Sequence, residues 1–243
     1  MKAILLLGAL VFATGLLAQT PVSRGTILPL QLNSSLNSKT SRPGQVITAR
    51  VMQDIPLPSG ATIHAGSKAV GRILEVSRAG NGKAATLSLQ FDKLNVSKRT
   101  VPITTNLRAL ASMMEVAQAQ VPQNGPDRGT SEESWTTEQV GGDVVYRGGG
   151  PVTSSSGVVG RPAPGGVLVQ VAANRSGECR GDLGGDDRPQ ALWVFSADAC
   201  GTYGFGDVTI THAGRTSPVG QITLSSDKDF VIRSGSGILL RVQ

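Results

Sequence analysis

Apolar residues recur at every second position through much of this chain, and that period constrains its fold more than any other feature. The clearest run is Ala85, Leu87, Leu89 and Phe91, which alternate with Thr86, Ser88, Gln90 and Asp92. Successive side chains of a strand point to opposite faces, so such a run puts one face in a core and the other in water. Leu28, Leu30 and Leu32 alternate in the same way with Pro29 and Gln31, and Ile47, Ala49 and Val51 with Thr48 and Arg50. Pro29 lacks a backbone donor and suits an edge or a strand start. Residues 68–77 read as a third strand with Val70, Leu74 and Val76 on one face, and Val101 and Ile103 begin another. The last third resumes the pattern. Val167, Val169 and Val171 share a face, Leu192 and Val194 oppose Trp193 and Phe195, and Val208 and Ile210 alternate with Thr209 and Thr211. Ile222 and Leu224 form a short strand, while Ile238, Leu240 and Val242 form a terminal one apolar enough to pair inside the sheet.

Turn chemistry separates these runs. Residues 56–60 carry two prolines and a glycine, Ala65-Gly66-Ser67 is a tight turn, and Gly80-Asn81-Gly82 tolerates positive φ. Residues 135–140 and 143–147 flank Gly141-Gly142 as a hairpin, with Trp135 and Tyr146 able to cover a patch of core. Residues 148–150 and 154–156 read as a loose connection. Leu107, Leu110, Ala111 and Met114 fall at i, i+3, i+4 and i+7, so residues 106–118 read either as one short helix or as a prolonged strand. With 31 glycines and 13 prolines, the expected fold is mainly β. It is an antiparallel β-barrel or sandwich with an irregular insertion and at most one short helix. Residues 25–112 would form the first half of the barrel, 113–165 a loop and hairpin insertion, and 166–243 the completing strands.

The first eighteen residues read as a Sec-type signal segment. Lys2 precedes an apolar run ending at the small residue Ala18, and the next residue, Gln19, is not the cysteine of a lipoprotein. No integral membrane span is expected after cleavage. The net charge of +6 is spread without a basic run, and aromatics make up only 4%, which argues against a nucleic-acid partner. Both cysteines, Cys179 and Cys200, lie in the exported portion, where a disulfide between them would persist. The expected location is the periplasm or the exterior.

Gly25-Thr26 with Pro29, then Gly44-Gln45-Val46-Ile47, then Ala65-Gly66-Ser67 and Gly71 follow one another in the first strands. This succession resembles the carboxy-terminal β-barrel domain of the TrbI/VirB10 family, with its GT..P strand, G.VIA.V strand and IP.GS...G turn. His64-Ala65 stands where that family has Ile-Pro, and residues 236–240 are similar to its last strand. The likeness covers residues 25–103 and the final strand. It implies a related barrel in the cell envelope and, as an alternative, a component of a transport assembly. The chain is also similar to exported proteins of soil bacteria, which implies no particular activity.

Candidate chemistry is sparse. His64 and His212 have no partner at metal-ligand spacing, so no metal or other cofactor is expected. His212 shares parity with Val208 and Ile210 and is read as a strand-end histidine facing a barrel mouth. No G-x-S-x-G elbow occurs, and residues 233–237 read as the turn before the last strand. Asp182, Asp186 and Asp187 form the densest acidic cluster without the spacing of a calcium loop. Arg180-Gly181-Asp182 is treated as a chance motif. The segment 201–206 places Tyr203 and Phe205 beside Cys200, as a ligand-contact loop or as a plug for a barrel end. The chain is therefore expected to be a non-catalytic structural or binding module of the cell envelope, whose partner is an envelope protein or polymer. The competing expectation is a hydrolase of an envelope polymer, using the 182–187 region or His212.

Overall fold

The computed structural model describes residues 22–96, 99–121, 136–142, 144–146, 150–170, 179 and 188–243. The expected signal segment, Trp135, Val171, the 180–182 tripeptide and the acidic cluster at Asp182, Asp186 and Asp187 lie outside those residues. The first strands are β1 (Ile27–Leu32), β2 (Leu36–Asn37), β3 (Val46–Val51), β4 (Ile55–Pro56), β5 (Thr62–Ile63) and β6 (Lys68–Ser77). They are followed by β7 (Ala85–Val96), β8 (Arg99–Pro102), β9 (Thr105–Ala111) and the helix α1 (Met113–Ala119). Next come β10 (Thr136–Glu138), β11 (Val144–Tyr146), β12 (Val152–Ser154), β13 (Gly157–Ala163), β14 (Gly166–Val169) and β15 (Gln190–Ala191). The chain continues through β16 (Gly201–Tyr203), β17 (Thr209–His212), β18 (Ile222–Ser226), β19 (Val231–Ile232) and β20 (Gly237–Val242).

Ten strands form one sheet in the order β16–β9–β20–β1–β3–β6–β7–β18–β17, with β8 on β7. Its pairs are antiparallel apart from β9 and β16. The sheet curls until its ends nearly meet, as a barrel does to remove exposed edges. At the seam, the Thr202 hydroxyl donates to the Val208 carbonyl at 2.7 Å, and the Leu107 N–H donates to the Ala213 carbonyl at 2.8 Å. The inward residues are those the alternation picks out: Leu28, Leu30, Ile47, Ala49, Leu87, Leu89, Phe91, Leu224 and Leu240 are all buried in one cluster. The terminal strand pairs inside the sheet as expected, between β1 and β9.

A second sheet, β10–β11–β12–β13–β14–β15, covers the outer face of β1, β20 and β9. There Ile27, Leu239, Ala109 and Ala111 pack with Val167, Val169, Leu192, Trp193 and Phe195. Those three barrel strands are consequently apolar on both faces, and β9 is buried at every residue. Buried polar side chains join the layers. Gln53 donates to the Val167 carbonyl at 2.9 Å and accepts from the Trp193 N–H at 2.7 Å. Gln190 accepts from the Ile27 N–H at 3.2 Å, and the buried Arg108 donates to the Ala197 carbonyl at 3.0 Å.

Four local readings change. On β6 the inward set is Ala69, Gly71 and Ile73, not Val70 and Leu74, which are half-buried on the other face. Ladder shifts at Val70/Gly71 and Ile73/Glu75 return Val76 to the core cluster. A Cβ on Gly71 would lie 2.1 Å from the Gln90 carbonyl oxygen, so only glycine admits this close approach. Residues 106–118 are strand to Ala111 and helix from Met113, because Ser112 caps the helix by accepting from the Glu115 N–H at 3.3 Å. Residues 192–195 make a turn rather than a strand. Trp193 takes φ +50°, and the Phe195 N–H donates to the Leu192 carbonyl at 2.8 Å. Residues 154–156, read as part of a loose connection, lie at the turn of the hairpin formed by β12 and β13.

Pro29 lies in a central strand, and its carbonyl accepts from the Met52 N–H at 3.0 Å. The N and O atoms of a strand residue face the same neighbour, so its missing donor points to where the β1–β3 ladder stops, one residue before Leu30. Pro29 therefore stands neither at an edge nor at a strand start: it is the third residue of β1, between β20 and β3, and the end of the β1–β3 ladder is what tolerates its missing donor.

Candidate functional site

The ladder of β9 ends at the barrel rim, and the capping pair Ser112 and Glu115 starts α1 there at once. Met113 and Met114 in its first turn consequently stand at the rim, with Met114 70% exposed. The chain leaving β16 reaches the same place. Gly204 takes φ +73°, and a Cβ on it would lie 2.4 Å from the Ser112 hydroxyl and 2.6 Å from Glu115 Cγ. A side chain there would hold the loop off the helix. The third wall is β19 and the turn before β20, which supply Val231, Arg233 and Ser236. Together with Phe205 these residues bound a groove of about 360 Å³.

The third wall is fixed from behind. β19 pairs with β2, and Asp229, just before it, accepts from the Ala79 N–H at 3.0 Å and from the Ser38 hydroxyl at 3.1 Å. Lys39 Nζ lies 3.4 Å away. The Ala79 N–H, more than Ser38 and Lys39, holds the Asp229 carboxyl below the usual carboxylate range, while burial opposes the shift. Ser38 also accepts from the Phe230 N–H at 3.0 Å, so the register that places Val231 in the groove is pinned twice.

The cysteines are bonded as expected, with Cα atoms 5.9 Å apart and a sequence separation of 21. The two aromatics picked out beside them part company. The Tyr203 hydroxyl accepts from the Cys200 N–H at 2.9 Å and donates to the Cys200 carbonyl at 3.0 Å, so this side chain packs in the outer layer and closes the loop at the bridge. Phe205 packs against the barrel cluster and lines the groove. Met113, Met114, Val231 and Arg233 were not singled out by the sequence. The usable signal was the Ser112–Glu115 capping spacing, which places the two methionines on a first turn.

His212 ends β17, as its strand-end reading expects, and its ring is held by the turn that follows. The ladder shifts between Ile210 and His212, and Nδ1 lies 2.7 Å from the Gln221 carbonyl oxygen and 3.1 Å from the Gly214 nitrogen, within a turn. His64 is exposed on another turn, 3.3 Å from Asp54. Among the described residues no three His, Cys, Asp or Glu side chains are grouped to hold a metal, and no helix is long and apolar enough to cross a membrane. The arrangement suits reversible contact with an apolar group. No protein-family model, curated protein or solved structure matches the chain.

Proposed function

We propose that this chain works as an exported, non-catalytic binding module of the bacterial cell envelope, holding an envelope protein or polymer. The observation that carries the reading is the rim groove. Met113, Met114 and Val231 are exposed, yet with Phe205 they line one concavity that also presents Ser112, Arg233 and Ser236. Single exposed apolar residues need no explanation, whereas apolar walls around a cleft with a few polar groups mark a contact site. The Cys179–Cys200 bridge supports export, since such bonds persist in oxidising compartments. The composition of residues 1–18 supports it as well. Binding is favoured over hydrolysis because the polar atoms around His212 belong to its own turn.

Expressed in a bacterium with a carboxy-terminal tag, the chain should be recovered from the periplasm or medium, shortened by its signal segment and without free thiols. Recovery from the cytoplasm with both thiols free would refute export. Hydrolysis of a purified envelope polymer that His212→Ala abolishes, with folding intact, would refute the non-catalytic reading.

A further inference from the structure

We infer that the rim groove takes a peptide segment in which an apolar side chain sits next to a carboxylate, as at the carboxyl terminus of a polypeptide. This rests on the binding-module reading. Met113, Met114, Phe205 and Val231 provide the apolar walls, and methionine side chains adapt to different apolar shapes. The charge comes from Arg233, which is exposed on the lip and, among the described residues, has no carboxylate at ion-pair distance. Glu115 packs against Gly204 and puts a negative charge behind that wall, so the ligand carboxylate belongs at the Arg233 rim.

The floor adds an independent sign. Ser236 is wholly buried and lines the groove, and its hydroxyl has no hydrogen-bond partner among the described residues. A buried hydroxyl without a partner costs free energy that a bound carboxylate or carbonyl oxygen would recover. Met113 lies across the neighbouring Gly235, its Cγ 3.1 Å from where a Cβ would stand, so this unbranched side chain borders the floor that Ser236 lines. The open side decides between a peptide and a lipid. Sites for small apolar ligands cover most of the ligand surface, and a groove whose wall residues Met114 and Val231 stay 70% and 42% exposed would leave an acyl chain wet. A peptide can keep its backbone in water on that side and bury only one side chain.

The test uses the oxidised, processed chain labelled with ¹³C at the methionine methyl groups. Its probes are N-acetyl-glycyl-leucine with a free carboxylate, the same compound as the carboxamide, and octanoate. The free acid should shift the Met113 and Met114 methyl signals saturably while leaving Met52, which packs in the outer layer, in place. The carboxamide should bind about five-fold more weakly, the scale of one partly exposed charge contact, and Arg233→Gln should erase that difference. Met114→Glu should weaken the free acid more than the carboxamide. Equal affinity for acid and amide would overturn the assignment, as would tighter binding of octanoate, and either would still leave a binding groove. Absence of a saturable shift with all three probes at roughly 20 mM, a concentration that detects even very weak complexes, would also overturn it. The fractionation and thiol results above stand apart from all of these outcomes.

Discussion

Gln53 is the place to break the contact between the two layers. Its side chain is fully buried and makes two hydrogen bonds across the layer boundary, accepting from the Trp193 N–H and donating to the Val167 carbonyl. Methionine has nearly the same shape and neither function, so Gln53→Met leaves the Trp193 N–H buried without a partner and takes one of two donors from the Val167 carbonyl, which keeps the Leu192 N–H at 3.2 Å. The orphaned donor costs about 1–3 kcal/mol and the lost bond to the carbonyl about 0.5–1.5 kcal/mol more, which predicts a loss of about 1.5–4.5 kcal/mol. That is a large part of the roughly 5–15 kcal/mol holding a typical domain together. Gln53→Glu keeps the acceptor for Trp193 but loses the donor and buries a charge, so it should cost at least as much. Guanidinium denaturation followed by circular dichroism gives the difference in unfolding free energy. Amide exchange gives its location, with protection falling more in 166–169 and 192–195 than in β6 and β7. A loss below about 0.5 kcal/mol for Gln53→Met, the range of an ordinary surface change, would show that these bonds do not hold the layers together.

Other perturbations test other joints. Replacing Cys179 and Cys200 by serine should cost about 3 kcal/mol on the chain-entropy view of a loop this long, read as a lower denaturation midpoint that reductant no longer changes. Gly71→Ala forces a Cβ against the Gln90 carbonyl, so β6 and β7 must separate, and a loss of about 2 kcal/mol or more is expected in the same assay. Ser112→Ala removes the cap of α1 and should cost about 1 kcal/mol, and because the helix start forms a groove wall, the Met113 and Met114 methyl signals should broaden or move. The Asp229 carboxyl is held below its usual range, so its contribution is complete above the ordinary carboxylate pKa and fades as pH falls through the lower folded value. The melting-temperature gap between the native chain and Asp229→Asn should therefore be widest near neutral pH and shrink as pH drops below about 4. A gap independent of pH would assign the effect to shape.

Where one face of a strand meets a core and the other meets water, the sequence alone places the strand. β3, β7 and β17 show this through Ile47, Ala49 and Val51, through Leu87, Leu89 and Phe91, and through Ile210 with Val208 just before the strand. Reading fails where that contrast is lost. β9 is covered on both faces, so its apolar residues satisfy a helical period as well as a strand period, and only the Ser112 cap divides the two elements. On β6 the inward positions are Ala69, Gly71 and Ile73, and the larger Val70 and Leu74 outweigh them in any reading by hydrophobicity. Residues 192–195 alternate like a strand, yet Gln53, about 140 positions away, captures the Trp193 N–H and stabilises the turn. The groove was half legible for the same reason. Phe205 stands in an aromatic, glycine-rich loop, whereas Val231 and Arg233 reach the site through the pairing of β19 with β2 across almost 200 residues of chain.

The placement of β20 sets the order in which this chain can become a protein. It is the last strand described, yet it lies between β1 and β9, pairing with Leu28 and Leu30 on one side and with Leu107 and Leu110 on the other. Until it emerges, β1 and β9 each present an unsatisfied ladder whose neighbour has not been made, and the covering sheet has no continuous floor. A nascent chain therefore cannot close its barrel from the amino-terminal side as synthesis proceeds. Contacts this distant in sequence close slowly and leave sticky edges exposed meanwhile. Closure of the barrel therefore waits for β20, the strand that joins β1 to β9.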